Sequence, residues 1–206
     1  MAEHYYYSIA SGSSGNCGLY MADGTAILID LGVSLRRITT ALKALSLTLE
    51  DISAVVLTHE HIDHVKGLPM FLKKAKAPVF ATRGTAEAFE EKNPEYADRL
   101  NIFDSGERFW VRDVDVVPFP TPHDAAESTG YIFEHGGSRF GFATDLGFVP
   151  RDAAELLRGC EWSCWRATMT RTCCRPVRTR IRSRCVLPDR AGTCPIRTAP
   201  YLQRIW

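Results

Sequence analysis

The sequence lacks any run of about 20 apolar residues, the length that a membrane-spanning helix requires. It also lacks an N-terminal basic segment followed by a long apolar run, so we expect no secretory signal peptide. We therefore expect no membrane partner and a cytoplasmic location, where unpaired cysteines stay reduced. The cysteines form no C-x-x-C pairs and no histidine follows His135, which disfavours a zinc knuckle in the C-terminal part.

Charge is distributed unevenly along the 206 residues, although the formal net charge is only +1. Residues 1–160 contain 15 Lys and Arg against 22 Asp and Glu, a net charge of −7. Residues 161–206 contain 10 Arg, no Lys and two acidic residues, a net charge of +8, together with five of the seven cysteines. We therefore divide the chain into a domain at 1–160 and an aberrant Arg- and Cys-rich tail at 161–206.

Three explanations of this tail compete. It is a basic arm that binds nucleic acid, a zinc knuckle or disulfide-rich segment, or a translation product of the wrong reading frame. Neither helical nor strand periodicity is visible beyond about Cys160, and this absence disfavours the first two explanations.

Strand-like and helix-like segments alternate over the first 160 residues. Strands are predicted at 5–10, 18–21, 25–30, 52–57, 78–82, 114–119, 130–134 and 139–143, with a hairpin turn at Asp23-Gly24. Helices are predicted at 34–44, with Ser34 as N-cap, and at 69–76, 85–91 and 152–158. This α/β mixture indicates sheets covered by helices.

Four potential metal ligands follow the apolar run at 52–57 within six residues, namely His59, His61, Asp63 and His64. Imidazole nitrogens and carboxylate oxygens at the end of a strand are ligands of zinc and similar divalent ions. His123 lies in a proline-stiffened loop after a predicted strand, and Asp145 lies just past another. Because a metal site needs ligands from several strand ends, we predict that both residues converge on the cluster.

The segment Thr58-His-Glu-His-Ile-Asp-His64 resembles the T-H-x-H-x-D-H signature of the metallo-β-lactamase superfamily. An early Ile29-Asp-Leu-Gly32, then the histidine cluster, a later His and an Asp follow that family's order over about residues 5–158. The loop Ala-Ser-Gly-Ser-Ser-Gly-Asn at 10–16 resembles the YycJ-like (VicX-like) branch of bacterial metallo-hydrolases.

This resemblance implies an α/β (α+β) fold, a four-layer αββα sandwich whose second half is incomplete in this chain. It implies that one metal ion is held by His59, His61 and His123, and a second by Asp63 and His64, with Asp145 bridging both. Asp30 would orient these ligands, although a simple turn residue at a strand end is an equal alternative. The cofactors would be two divalent metal ions, with zinc favoured by the histidines and manganese or iron left open by the carboxylates.

The resemblance further implies hydrolysis by a hydroxide that two metal ions about 3.5–4 Å apart generate, with Asp63 holding the nucleophile in line. We expect the substrate to be a phosphodiester of DNA or RNA. The alternatives are a small thioester or lactone, or an inactive frameshifted product that only binds metal. The net negative charge of residues 1–160 does not favour a nucleic-acid substrate. One cluster of basic residues is present there, but it fits a solvated helix face equally well. They are Lys66, Lys73, Lys74 and Lys76.

The loop at 11–16 has two interpretations as well. Its backbone N–H groups would be able to hold a phosphate, or it is a glycine-rich turn without a binding role. The superfamily's site also needs a late histidine on the second metal, and this chain has none after His135.

A shifted reading frame accounts for the missing histidine. When each codon's third base is read with the first two bases of the next, residues 167–174 can spell Asn-His-Asp-Glu-Asp-Met-Leu. In the same way residues 191–196 can spell Gly-His-Leu-Ser-Asn, which contains a histidine suited to the missing position. Both strings resemble late motifs of the YycJ-like branch. We therefore hypothesise that a small insertion or deletion near Glu161 and Trp162 scrambled residues 162–206.

The DNA read across codons 155–170 tests this hypothesis, and we expect an insertion or deletion there. A well-covered, intact frame would contradict it. Because the lost strands and helix would bury apolar side chains worth about 1.5–3 kcal/mol each, we also expect the chain as written to be marginally stable or unfolded. A cooperative melt at high temperature would count against this expectation.

Overall fold

The structure is a computed structural model that describes residues 4–167 and 173–176, with side chains through Cys164. The first sheet contains β1 (His4–Ala10), β2 (Cys17–Ala22), β3 (Thr25–Ile29), β4 (Ile52–Val56), β5 (Val79–Thr82) and β6 (Asn101–Phe103), in that order. The second sheet contains β7 (Phe109–Val111), β8 (Val114–Pro120), β9 (Thr129–His135), β10 (Ser138–Leu146), β11 (Trp162–Ala167) and β12 (Cys173–Pro176), again in chain order across the sheet.

The helices are α1 (Leu35–Ala44), α2 (Ile62–Val65), α3 (Leu68–Lys74), α4 (Arg83–Lys92) and α5 (Arg151–Arg158), with a 3₁₀ turn at Pro94–Tyr96. Within the described residues, none of them is long and apolar enough to cross a membrane. The first three strands pair antiparallel, whereas β3 to β6 pair in parallel. The carboxyl ends of β3 and β4 therefore lie at the same edge of the first sheet.

The two sheets face each other across a layer of buried aromatic side chains. Tyr20 of the first sheet stacks on Phe133 and Phe140 of the second, with ring centroids 4.7 and 5.4 Å apart. The outer face of the first sheet packs against buried residues of α1, α3 and α4, and that of the second against α5. This arrangement of helix, sheet, sheet and helix confirms the predicted four-layer αββα sandwich.

Local sequence signals located most of these elements within a few residues. Ser34 caps α1, since its hydroxyl accepts a hydrogen bond from the amide of Arg37 at 3.4 Å. Asp23 and Gly24 form the predicted two-residue hairpin turn, and both have positive φ, 42° and 84°. The short strands β6 and β7 escaped prediction because three residues are too few to establish a periodicity.

The sequence shows no strand periodicity beyond about Cys160, yet the structure has strands there. Strand β11 pairs in parallel with β10, so that Trp162 lies opposite Phe140, and the two rings stack at 4.1 Å. Cys164 is buried in the core between the sheets. A strand that lies between two neighbours and is covered on its faces needs no alternation of polar and apolar residues, which explains why the pattern was missed. The boundary between 160 and 161 stays a prediction, and residues 177–206 lie outside the described residues.

Cys17 and Cys160 are buried free thiols in the structure. Burial raises the pKa of both thiols, that of Cys160 to about 11. Both side chains therefore remain protonated at neutral pH and serve as small apolar side chains of the core.

Gly32 makes possible the close approach between the segment after β3 and helix α2. A Cβ at this position would overlap the carbonyl oxygen of Asp63 and lie 2.6 Å from the amide nitrogen of Asn16. The Gly32 amide donates a 2.7 Å hydrogen bond to the carbonyl of Asn16, which fixes the three segments together. Any side chain here must push them apart.

We expect Gly32→Ala to lower the free energy of unfolding by about 1–3 kcal/mol, because overpacking against backbone atoms cannot relax cheaply. Gly147→Ala is the matched control, since a Cβ there would meet only the Pro122 carbonyl oxygen at an ordinary 3.6 Å. Urea denaturation of both variants measures the difference. Equal stability of the two variants would contradict the role given to Gly32.

Candidate metal centre

The candidate centre lies at the edge where strands of both sheets end. His59, His61 and His64 follow β4, His123 lies in the loop between β8 and β9, and Asp145 lies in β10. Two backbone hydrogen bonds hold these segments together. Thr129 donates to the Thr58 carbonyl at 3.0 Å, and Gly147 donates to the Pro122 carbonyl at 3.1 Å. The predicted convergence of His123 and Asp145 on the cluster after β4 is therefore present.

Two groups of potential ligands share the side chain of His59. In the first group, ligand atoms of His59, His61 and His123 all lie within 4.8 Å of one another. His61 Nδ1 and His123 Nε2 are 3.3 Å apart. In the second group, His59, His64 and Asp145 meet the same criterion, and His64 Nε2 lies 3.0 Å from Asp145 Oδ2. The two groups of ligands are therefore adjacent, and they differ in the other two residues that each contains.

The environment of the His59 ring indicates whether these residues are suited to binding a cation. Its Nε2 is buried and has no hydrogen-bond partner among the described residues, whereas Nδ1 lies 3.0 Å from the Thr58 hydroxyl. Burial, and then the neighbouring imidazoles led by that of His64, lower the pKa of His59 to about 2, so its ring is neutral. A buried, unpaired polar atom costs about 1–3 kcal/mol, and a bound cation would supply the missing partner. The site fits divalent metal ions.

Asp30 fixes the orientation of His64 from the end of β3. The buried Asp30 carboxylate accepts hydrogen bonds at 2.8 Å from the Thr58 amide and at 2.8 Å from His64 Nδ1. This contact turns His64 Nε2 toward Asp145. Burial alone would lower the pKa of His64, but the carboxylates of Asp30 and Asp145 outweigh it and raise the pKa to about 9. Asp30 therefore has the contacts of a residue that orients a ligand, although it is also a strand-end residue with a φ of 60°.

Asp63 belongs to neither group of three. Its Oδ2 lies 3.7 Å from His64 Nε2 and accepts a hydrogen bond from the Asn16 side-chain amide at 3.1 Å. The structure thus brings His59, His61, His64, His123 and Asp145 together and leaves the Asp63 carboxylate at the border of the second group. The role of Asp63 as a metal ligand stays a prediction.

Asn16 is a site residue that the sequence did not single out. Its Nδ2 lies 2.9 Å from His64 Nε2, and its backbone amide donates to the Asp63 carbonyl at 2.7 Å. Within the loop at 11–16, the Gly15 amide donates to the Gly12 carbonyl and the Gly12 amide to the Asn16 side chain, both at 3.0 Å. These N–H groups are used inside the loop, which favours the turn interpretation over phosphate binding. In the sequence, the one indication that Asn16 belongs to the site is its position at the end of the glycine-rich loop.

A family profile described as the beta-lactamase superfamily domain matches residues 25–179. The chain belongs to the metallo-β-lactamase superfamily. It is 32% identical over 156 residues to the exodeoxyribonuclease YycJ of Bacillus anthracis, a match that covers 75% of this chain and 59% of the relative. This match confirms the likeness to the YycJ-like branch, and the chain spans less than two thirds of the length of that relative.

Two further matches extend the comparison. A hydroxyacylglutathione hydrolase of Xylella fastidiosa is 36% identical over 94 residues, covering 45% of this chain and 34% of the relative. The crystal structure of Zn(2+)-bound PqqB from Methylobacterium extorquens aligns with a TM-score of 0.63 at 20% identity, covering 73% of this chain and 59% of that one. The structural match establishes the fold.

The raised pKa of His64 predicts how the stability of the metal-free chain depends on pH. Because the pKa is about 9 in the folded protein and about 6.5 in the unfolded chain, protonated His64 stabilises the fold at low pH. We expect the free energy of unfolding of chelator-treated protein to fall as pH rises from about 6.5 to about 9.

Urea denaturation at several pH values measures this decline. Asp30→Asn removes the nearest carboxylate and should flatten the profile in that window, whereas the exposed Asp98→Asn should leave it unchanged. A flat profile in the unsubstituted chain would contradict the assignment of the proton to His64.

Proposed function

We propose that this chain is a metal-dependent hydrolase of phosphodiesters in nucleic acid. The observation that carries the proposal is the convergence of five potential ligands in two groups of three that share His59, whose Nε2 is buried and unpartnered. Five ligands exceed the four of a structural zinc site, which favours two neighbouring cations. The relationship to the exodeoxyribonuclease YycJ supports nucleic acid as the substrate class.

The proposed roles follow from the contacts of each side chain. His59, His61 and His123 would hold one ion, and His64 and Asp145 a second, with Asp63 as an additional ligand. When bound, divalent ions would supply Lewis acidity and lower the pKa of water toward neutrality. Asp63, tied to Asn16 at 3.1 Å, would orient the attacking water. Asp30 would keep the His64 ring from turning, and zinc is the ion that the imidazoles favour.

The rim of the site offers apolar surface to a substrate. Ile62, between two of the proposed ligands, is 71% exposed, and Phe148, three residues after Asp145, is 65% exposed. An exposed aromatic ring is suited to stacking with a nucleobase, an interaction worth about 1–3 kcal/mol per base. Lys66 is exposed at the end of α2 and is the basic residue nearest in sequence to the site, whereas Lys73 lies over the Tyr96 ring.

Hydrolysis of a small thioester is the second candidate. The net charge of −7 over residues 1–160 is unfavourable for a polyanionic substrate, and the hydroxyacylglutathione hydrolase match favours a small carbonyl compound. The same two groups of ligands would serve either reaction, since both need an activated water and stabilisation of negative charge.

Release of nucleotides from end-labelled single-stranded and double-stranded DNA tests the first candidate, with a thioester panel run in parallel. We expect zinc- or manganese-dependent DNA hydrolysis that Asp145→Asn lowers at least about 100-fold, because the variant removes a charged ligand. Asp98→Asn is the matched control, since it neutralises an exposed carboxylate away from the site. Thioester hydrolysis without nuclease activity would favour the second candidate.

The frameshift hypothesis requires a second protein in the same assay. We expect the chain as written to be weakly active, and a version with the reading frame restored near Glu161 and Trp162 to be more active. If the restored chain hydrolyses neither substrate, the proposal fails and a protein that only binds metal is the remaining alternative. The cytoplasmic location stays a prediction from the sequence.

A further inference from the structure

The chain has six histidines, and they fall into two clusters. Four belong to the candidate metal centre, and the other two, His4 and His135, lie near Asp23. His135 ends strand β9, whose first residue, Thr129, is hydrogen-bonded to Thr58 beside the candidate centre. Because the 7 residues of β9 span about 20 Å, the second cluster lies at the opposite edge of the sandwich.

Tight turns hold this second cluster. Asp23 lies in the two-residue turn between β2 and β3, and His135 precedes the two-residue turn Gly136-Gly137 between β9 and β10. His4 begins β1 and pairs with Ala22 in the first sheet. The three side chains therefore come from both sheets and are positioned by short, hydrogen-bonded segments, which is the rigidity that a preformed site requires.

The ligand atoms of the three side chains form a compact triangle. His4 Nε2 lies 3.0 Å from His135 Nδ1, and Asp23 Oδ2 lies 3.9 Å from the first and 3.8 Å from the second. The point equidistant from these three atoms is about 2.1 Å from each, which agrees with zinc distances to histidine nitrogen and carboxylate oxygen. The imidazoles are nearly buried, with side-chain exposures of 8% and 11%, whereas Asp23 is 40% exposed.

Asp113 completes the arrangement from outside the triangle. Its Oδ2 lies 2.7 Å from His135 Nε2, the ring nitrogen that faces away from His4. Its Oδ1 accepts a 2.8 Å hydrogen bond from the hydroxyl of the buried Thr25. A carboxylate that accepts the far N–H of an imidazole fixes the tautomer and raises the basicity of the other nitrogen, as it does around protein-bound zinc.

We propose that His4, His135 and Asp23 form a second metal site, suited to zinc, at the edge opposite the candidate metal centre. Three protein ligands and a half-exposed fourth position would hold one Zn²⁺ ion, and the carboxylates of Asp23 and Asp113 offset its charge. The ion connects β1 and the β2–β3 turn of the first sheet to β9 of the second. Because its ligands come from both sheets, a bound ion would fasten the sandwich at the edge away from the candidate centre.

A nuclear magnetic resonance titration with Zn²⁺ alone tests the site in the full chain labelled with ¹⁵N-histidine. With six histidines, each imidazole can be followed separately. We expect His4 to bind through Nε2 and carry its proton on Nδ1, and His135 to bind through Nδ1 and carry its proton on Nε2. A hydrogen bond between the two rings also explains their 3.0 Å separation, and rings that do not respond to saturating Zn²⁺ would establish that explanation and overturn the proposal.

Zinc content after dialysis provides the second measurement. We expect His135→Ala to lose one equivalent, and Asp113→Asn, a milder change, to raise the dissociation constant of this site about 10–100-fold. Asp98→Asn removes an exposed carboxylate outside both clusters and should retain every equivalent. Asp145→Asn should leave the His4 and His135 signals responsive to Zn²⁺, so this site is judged independently of the proposed function. An unchanged zinc count in His135→Ala would refute it.

Discussion

The candidate centre depends on the hydrogen bonds that the buried carboxylate of Asp30 accepts from Thr58 and His64. Burying a charge at the end of β3 is costly unless the charge is paired. The Asp30 carboxylate accepts hydrogen bonds from the Thr58 amide, the Thr58 hydroxyl and the His64 ring. These bonds determine where the chain turns after β4 and which nitrogen of His64 faces the cleft. The adjoining Gly32 allows helix α2 to approach closely enough for that bond. The ligand cluster is therefore positioned by a hydrogen-bonded junction between two parallel strands.

Local patterns predicted the fold well where one segment contains its own signal. The N-cap at Ser34, the Asp23-Gly24 turn and the run of histidines after β4 each carry their information within a few residues. His123 and Asp145 were anticipated because strand ends share an edge, even though both residues are individually ambiguous. Asn16 was missed as a site residue because its contacts with Asp63 and His64 depend on tertiary packing.

The C-terminal part of the described chain illustrates the limit of such patterns. Strand β11 was not anticipated, because Trp162 and Cys164 gain their environment from Phe140 and the facing sheet rather than from neighbours in sequence. The excess of arginine beyond residue 160 describes the composition of that segment. Composition alone does not show that the first residues of the segment pair with strand β10. The second cluster, around His4 and His135, likewise emerged only when residues 131 positions apart met across the two sheets.

The division of the ligands between the two sheets has a consequence for biosynthesis. The histidines after β4 leave the ribosome well before His123 and Asp145, which belong to the loop and strand of the other sheet. An early fragment of the nascent polypeptide therefore contains only part of each ligand group and would bind a cation weakly. Tight binding would require that the second sheet has emerged and docked through Tyr20 and its aromatic partners. Apolar collapse would thus come before metal binding, and the ion would stabilise a sandwich that has already formed.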